Sequence, residues 1–544
     1  MALADSKTSR ASTPSPVAML AIPDLAAGIA VVTLAYCLFV FHGGTQFFRD
    51  SDSGWHIRNG EWILDHRSLP RSDPYSFSKA GQPWLGWEWG ADVLMGLAHR
   101  IDGLRGVTTL FALTISACTW MWFRLNFAAG GDFFVTCLLA PLMITTTSLH
   151  WLARPHVFSW LLLLGSLWYF ERAPFHPSAQ GAAAPSHSSL TPPRSSVVRG
   201  LVRSLRQLAA VAGVAALWAN LHASFLLAPV IALIYAASHL IRPVLWPIDP
   251  EPEQAKARRF LWVAMAALIG SFLNPYGWRL HAHVLAYLRD DALLSRIAEF
   301  QSFNFHDPGA MQVALAVVLA AAGGTMALAQ GKAAHFLLAA IFAMGALRMA
   351  RMLPLLALSV LPLVNGTFAE ALRGARNLRP RLKRSIDAAF AYSARLRAID
   401  QRMNGAAFTA IAAVAILLAA RTPVYSRGIG FPAGTFPVNA AAAVENLPAD
   451  ARLVAPDNFG GYLIYRFNGA RKVYFDGRSD FYGVDFMKQY LVLINARPGW
   501  QETLHSFRFT HALLPDASAL KAALQQAGWT TLYKDDVATL LEAH

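Results

Sequence analysis

What most constrains this chain is a succession of apolar runs. They fall at 22–41, 106–126, 132–149, 156–171, 206–220, 223–240, 260–273, 310–329, 334–348, 352–368 and 405–421. A bilayer core takes about 20 apolar helical residues to cross, and several of these runs are somewhat shorter. With about eleven of them, the chain reads as a polytopic α-helical membrane protein. Only 15% of the residues are charged, against about 25% in soluble domains.

The net charge of +14 does not point to nucleic acid. The basic residues concentrate in short connections between apolar runs, and no basic face interleaves with base-stacking aromatics. That clustering is the pattern of cytoplasmic loops. The tail 1–20 carries Lys7 and Arg10, and no small-residue cleavage site closes the run 22–41, so the first run reads as a spanning helix that starts inside. The inner connections are then 173–205, 241–259, 330–333 and 369–404. They hold Arg194, Arg199 and Arg203, with Arg172 at the edge; Arg242, Lys256, Arg258 and Arg259; Lys332; and the run from Arg373 to Arg402. Residues 42–105 and 430–544 fall outside. Segment 174–198 is rich in Pro, Ser and Ala and reads as a disordered cytoplasmic loop. Segment 369–404 fits a basic helix on the inner leaflet or a topogenic anchor. Cys37, Cys118 and Cys137 all lie in apolar runs and make neither a disulfide framework nor a zinc spacing.

The loop 42–105 is too long to be a simple connector. It carries Asp50, Asp52, Glu61, Asp73, Glu88 and Asp92, and the tryptophans Trp55, Trp62, Trp84, Trp87 and Trp89. Asp50 and Asp52, two residues apart at a membrane exit, suit a divalent cation such as Mg or Mn, which takes oxygen ligands and shares waters with a phosphate. His56, four residues after Asp52, faces the same side of a helix. A carboxylate here also suits a general base toward an acceptor hydroxyl. Spacing alone is equally consistent with Asp52 or Ser53 capping the helix that follows. Trp84, Trp87 and Trp89 are either interfacial anchors or stacking faces for a sugar.

Further polar residues gather at the expected outer helix ends: His150, Arg154 and His156; Asn220 and His222; Asn274, His281 and His283; Glu299, His306 and Asp307; Arg348 and Arg351. Arginine offers bidentate geometry to a lipid phosphate, while snorkelling and helix capping explain each residue singly. The substrate-binding set expected from these is His56, Glu88, Arg154, His156, His222, Arg348 and Arg351.

From about residue 430 the composition changes. Short β-branched or aromatic runs alternate with helical stretches 459–467, 483–495, 499–507 and 516–527, which reads as a small α/β domain. Its sheet is expected from parts of 452–455, 471–475, 510–514 and 530–534. No G-x-G-x-x-G or P-loop occurs there, so no nucleotide cofactor is expected. Asp476, Arg478 and Asp480 read as a turn-stabilising ion-pair network, or else as an acceptor-side cluster.

The stretch Asp52-Ser53-Gly54-Trp55-His56-Ile57-Arg58-Asn59-Gly60-Glu61-Trp62-Ile63-Leu64, followed by Leu69-Pro70, Asp73-Pro74-Tyr75-Ser76-Phe77, Trp84 and Glu88-Trp89, resembles the first outer loop of GT-C membrane glycosyltransferases. These include oligosaccharyltransferase catalytic subunits, protein O-mannosyltransferases and lipid A aminoarabinose transferases. Asn458-Phe459-Gly460-Gly461-Tyr462 and Asp476-Gly477-Arg478-Ser479-Asp480-Phe481-Tyr482-Gly483 resemble a bacterial branch of that superfamily. The resemblance implies a sugar donor linked to polyprenyl phosphate, an extracytoplasmic acceptor and a catalytic or metal-binding carboxylate just after the first helix. Asp52 matches that carboxylate best, because its spacing to Trp55 and His56 is similar to the oligosaccharyltransferase pattern; Asp50 comes second. The adjacent Asp-Glu pair of the mannosyltransferases is absent. The expected location is a bacterial inner membrane, with the C-terminal α/β domain in the periplasm. The alternative is a non-catalytic or transport component of envelope polysaccharide assembly. Transport would call for internal repeats and mid-helix charges, and neither is evident in the sequence.

Overall fold

In the computed structural model the described residues are 21–172, 194–307, 309–422 and 428–544. The tail 1–20 and most of the Pro- and Ser-rich segment 174–198 lie outside them.

Every apolar run becomes a helix. In chain order these are α1 (Leu25–Ala35), α2 (Asp52–His66), α3 (Trp89–Ala128), α4 (Phe133–Ser148), α5 (His156–Phe170), α6 (Arg194–Leu221), α7 (Leu227–Leu245), α8 (Pro250–Ser271), α9 (Trp278–Arg289), α10 (Ala310–Ala329), α11 (Ala333–Arg348), α12 (Met352–Gly374), α13 (Pro380–Asp400) and α14 (Ala406–Ala419). Helices α2, α9 and α13 lie outside the apolar runs. Among the described residues four stretches are long and apolar enough to cross a membrane: α3, 223–245, α10 and α12. Residues 25–40, α4, α5, α11 and α14 are shorter apolar helices. At about 1.5 Å per residue, those shorter ones fall below the roughly 30 Å hydrocarbon thickness. Length therefore supports four of the expected crossings by itself.

Two boundaries differ from the sequence reading. Helix α6 starts at Arg194, so the end of the expected disordered loop is helical. Helix α3 starts at Trp89, well before the run 106–126, and breaks at Asp102 and Gly103, where Gly103 takes φ 57°. Only glycine adopts that backbone easily. The loop 42–105 thus ends in about three turns of helix before the kink.

Helix α12 is the central post and is buried along most of its length, from Leu353 to Ala369. Trp122 of α3 donates its indole N–H to the Ala357 carbonyl at 3.1 Å. Asn365 donates to Asn126 (2.9 Å) and Thr136 (2.8 Å) and accepts from the Asp132 backbone (2.9 Å). That network satisfies polar groups that would be costly in an apolar core. Helix α14 has no buried residue and touches α1, where a Cβ on Gly405 would stand 2.1 Å from Pro23.

The C-terminal region forms β1 (Leu453–Val454), α15 (Asp457–Arg466), α16 (Ser479–Ile494), α17 (Trp500–Ser506), β2 (His511–Leu514), α18 (Ala519–Gln526), β3 (Thr530–Lys534) and β4 (Thr539–Glu542). The sheet order is β1-β2-β4-β3, with β1 parallel to β2 and the other pairs antiparallel. The expected strands at 452–455, 510–514 and 530–534 form. Segment 471–475 does not join the sheet, and residues 539–542 take the added place. Val473 instead bridges Ser76 of the outer loop: its N–H reaches the Tyr75 carbonyl, and its carbonyl accepts from Phe77, both at 3.0 Å. The outer loop satisfies that backbone, so the sheet has no call on it.

Candidate active site

After α1 the chain makes a π-helical turn (Tyr36–Val40) and a 3-10 turn (His42–Phe48), then enters α2 at Asp52. The Asp52 side chain does not cap this helix. Ser51 holds the cap position without a side-chain bond, and Asp50 accepts from the Asp52 backbone N–H at 2.9 Å. The Asp52 carboxylate is left to point elsewhere.

It points at Arg154, in the turn between α4 and α5. Arg154 Nη2 lies 2.9 Å from Asp52 Oδ2, and Nη1 lies 2.7 Å from Asp50 Oδ2 and also pairs with Glu299 Oε1. The Arg154 turn is tied to the 3-10 turn by the Ala153 N–H on the Phe47 carbonyl, 2.8 Å. Glu299 sits in the short turn Ala298–Phe300, whose carbonyl accepts from the Arg351 backbone at 3.2 Å. Three separate connections, those that carry Asp50 and Asp52, Arg154 itself, and Glu299, thus meet at one guanidinium. With three carboxylates to one cation, the cluster retains a proton near neutrality. Burial pushes the Asp52 carboxyl up to about 8, against the pull of Arg154. Burial also works against the Glu299 carboxylate, yet Arg154 and Arg351 hold it below the usual range.

A second polar group lies one turn further along α2. His56 Nδ1 is 2.6 Å from Asp92 Oδ1, and Asn59 Nδ2 donates to Asp92 Oδ2 at 2.6 Å. His56 Nε2 faces Glu88 at 3.8 Å, and Glu88 meets His222 Nε2 at 3.4 Å. His222 is held by Ser224 at 2.8 Å, and its ring lies 6.4 Å from that of His156. Burial raises Glu88 well above the usual carboxylate range and lowers His56, so this wall is largely neutral. His56 Nε2, Asn59 Oδ1 and Trp55 Nε1 are buried without a hydrogen-bond partner among the described residues. Buried polar groups are normally bonded, and a ligand or water reaching this wall would meet that need.

The roof comes from the C-terminal region. A Cβ on Gly54 would stand 2.4 Å from the Gly461 carbonyl, so α2 and α15 touch backbone to backbone. A Cβ on Gly477 would stand 1.9 Å from Asp52 Oδ1. Arg478 is fully buried between Asp73 (2.8 Å) and Asp476 (2.7 Å) and lies 4.8 Å from the Trp84 ring centroid. The Asp476–Arg478 pair is therefore structural and extends to the outer loop, while Asp480 turns to His283 at 3.0 Å.

Of the residues expected from the sequence, the structure gathers Asp50, Asp52, His56, Glu88, Arg154, His156 and His222. Arg351 stands beside them over the Phe300 ring, 4.4 Å from its centroid. Arg348 ends α11, and its carbonyl accepts from Ser302 at 3.4 Å; no contact among the described residues links it to the cluster. His281 bonds Ser271 at 2.8 Å, and Asp307 accepts from Asn304 at 2.6 Å, both away from the cluster. Trp84 faces Arg478, Trp87 lies edge-on to His283, and Trp89 donates to Asn220 at 2.9 Å. Each of these tryptophans thus has a partner within the protein. Glu299 was one of many polar residues in the sequence and had no mark to single it out. Asn59 and Asp92 were likewise absent from the expected set. The H-x-x-N spacing of His56 and Asn59, one turn apart on α2, was the readable hint for that pair.

A divalent metal held by Asp50 and Asp52 does not fit these residues as arranged. Their oxygens already converge on the Arg154 guanidinium, and among the described residues no group of three His, Cys, Asp or Glu is placed to hold a metal ion.

No family model matches the chain, and no curated protein sequence matches it. Solved structures do. The archaeal oligosaccharyltransferase AglB from Archaeoglobus fulgidus, in complex with an inhibitory peptide and a dolichol-phosphate, matches over 90% of this chain and 69% of its own, with TM-score 0.51 and 10% identity. The apo form of the Archaeoglobus fulgidus oligosaccharyltransferase matches over the same shares, with TM-score 0.51 and 11% identity. The chain therefore has a fold similar to that of the Archaeoglobus fulgidus oligosaccharyltransferase.

Proposed function

We propose that this protein is a multi-pass membrane glycosyltransferase. It transfers a sugar from a polyprenyl-phosphate-linked donor to an extracytoplasmic acceptor, which is a glycan, a lipid or a protein. The observation that carries this reading is the convergence of Asp50, Asp52, Arg154 and Glu299 at one end of the helical body, beneath the C-terminal region and beside Arg351. The fold likeness to oligosaccharyltransferases supports it, and one of those was solved with a dolichol-phosphate and a peptide.

In this reading the membrane is the bacterial inner membrane, with the N-terminus inside and residues 42–105 and 430–544 in the periplasm. The hydrogen bonds between Val473 and residues 75 and 77 support giving both segments the same side. That requires an even number of crossings between them, and the ten apolar runs from 106–126 to 405–421 meet the requirement, giving eleven with the first.

Each side chain then has a role. Asp52, with a proton affinity near the working pH, takes the proton of the acceptor hydroxyl; general bases work best when poised there. Asp50 shares Arg154 with it and keeps that cation in place. Arg351 makes no ion pair among the described residues and is the cation available to a donor phosphate, whose charge grows as the sugar leaves. His56, Glu88, His156 and His222 form the uncharged polar wall that receives sugar or acceptor hydroxyls.

The test is turnover of a radiolabelled polyprenyl-phosphate sugar panel by the full chain in nanodiscs. Transfer or hydrolysis by the wild type that is lost in Asp52→Asn supports the reading. A folded wild type that neither binds nor turns over any such donor refutes it.

A further inference from the structure

Arg154 sits where a site of this kind needs a cation. Its guanidinium is planar, and both terminal nitrogens are engaged: Nη1 by Asp50 (2.7 Å) and Glu299, Nη2 by Asp52 (2.9 Å). The side chain is largely buried, and the three carboxylates raise its proton affinity against the effect of burial, so the charge is permanent. Asp52 cannot swing away to a second cation, because Gly477 closes its other side. A magnesium or manganese ion needs oxygens converging at about 2.0–2.2 Å. Here they are spread around a five-donor fork, a geometry that matches carboxylates pairwise. A dication beside this guanidinium would also meet a like charge in a medium of low dielectric.

We propose that Arg154 is the resident cation of the site and that it stands in place of a divalent metal, so that the site is complete without one. The guanidinium neutralises Asp50 and Glu299 and orients Asp52. It is a positioning residue, whose charge is spent on the protein's own carboxylates and leaves the donor phosphate to Arg351. The inference draws its use from the proposed transfer reaction, but its test does not require that reaction.

The experiment measures manganese on the full chain in nanodiscs, by metal content after desalting, by the Mn²⁺ electron paramagnetic resonance signal, and by Tm with Mn²⁺ against EDTA. The wild type should hold well under one ion per chain and show the same Tm in both. Arg154→Gln removes the cation and leaves Asp50, Asp52 and Glu299 facing a gap; it should take up about one ion per chain and gain Tm on adding Mn²⁺. Arg154→Lys keeps a fixed charge and should stay manganese-free.

A wild type that binds about one ion, with binding lost in Asp52→Asn, overturns the proposal. So does a folded Arg154→Gln that stays manganese-free, because the guanidinium would then not be filling a cation position. If Arg154→Gln does not fold, the wild type and Arg154→Lys decide: both manganese-free upholds the proposal, and either one binding an ion overturns it. All three readouts are independent of sugar transfer, so failure of the transferase reading would be seen separately.

Discussion

The Asp52 carboxylate lies flat against the backbone of Gly477, so close that a Cβ there would stand 1.9 Å from Oδ1. These residues belong to the first outer loop and to the C-terminal region, at opposite ends of the sequence. Gly477→Ala should push Asp52 off Arg154. The expected loss of stability is about 1–3 kcal/mol, as for overpacking elsewhere, while donor turnover should fall by at least about tenfold, since a displaced catalytic group costs far more than strain. Thermal unfolding and turnover on the same nanodisc preparation check this.

Asp52 also sets a pH dependence. In the folded chain it holds its proton up to about pH 8, while an unfolded aspartate titrates near about 3.9. Between those values the folded state binds more protons, so the contribution to stability is complete at acid pH and declines as pH rises through 8. Asp52→Asn should keep expression and flatten the fall of Tm between pH 5 and 9, a change on the order of 4 kcal/mol at about 1.4 kcal/mol per pH unit. It should also abolish transfer. A variant as pH-sensitive as the wild type would remove Asp52 from this role.

Arg478 is the pin between the outer loop and the C-terminal region. It is buried with both acids, Asp73 and Asp476, at 2.8 and 2.7 Å. Replacing only the arginine strands two buried carboxylates, and breaking such a pair costs about 3–5 kcal/mol. Arg478→Gln should therefore lower Tm sharply and open residues 71–84 to protease, as seen by limited proteolysis and mass spectrometry.

Topology has its own check. Ser78 donates to the Tyr474 carbonyl at 2.5 Å, a contact from which one side of the membrane is predicted for both the loop 42–105 and the C-terminal region. Single cysteines at Ser78 and Ser518 should both be labelled by an impermeant maleimide applied from the periplasm. Labelling of the two from opposite sides would contradict the fold itself.

Arg351 is predicted to act on donor binding without carrying the fold. It stacks on Phe300 and makes no ion pair among the described residues. Arg351→Gln should leave Tm within about 0.5 kcal/mol of wild-type stability. It should weaken binding of a polyprenyl phosphate by about 10–100-fold, the usual worth of a charge-assisted contact, as measured by titration in nanodiscs.

The sequence alone determined what local chemistry decides. Apolar runs set where helices form, because a helix satisfies its own backbone wherever it lies. Alternating short runs after residue 430 marked three of the four strands. The position of Asp50 and Asp52 just past α1 followed from where the first apolar run stops. What the tertiary structure decided is who meets whom. Arg154 and Glu299, 145 residues apart, share an ion pair that no period or motif encodes. Val473 left the sheet because the outer loop offered its backbone a partner first. Arginine at 154 looked like a donor-phosphate ligand until packing surrounded it with three acids. A side chain's charge is written in the sequence, but whether that charge is free or spent depends on partners brought by other helices. Those partners are fixed by close backbone contacts such as Gly54 on Gly461 and Gly477 on Asp52, which exist only once the chain has folded.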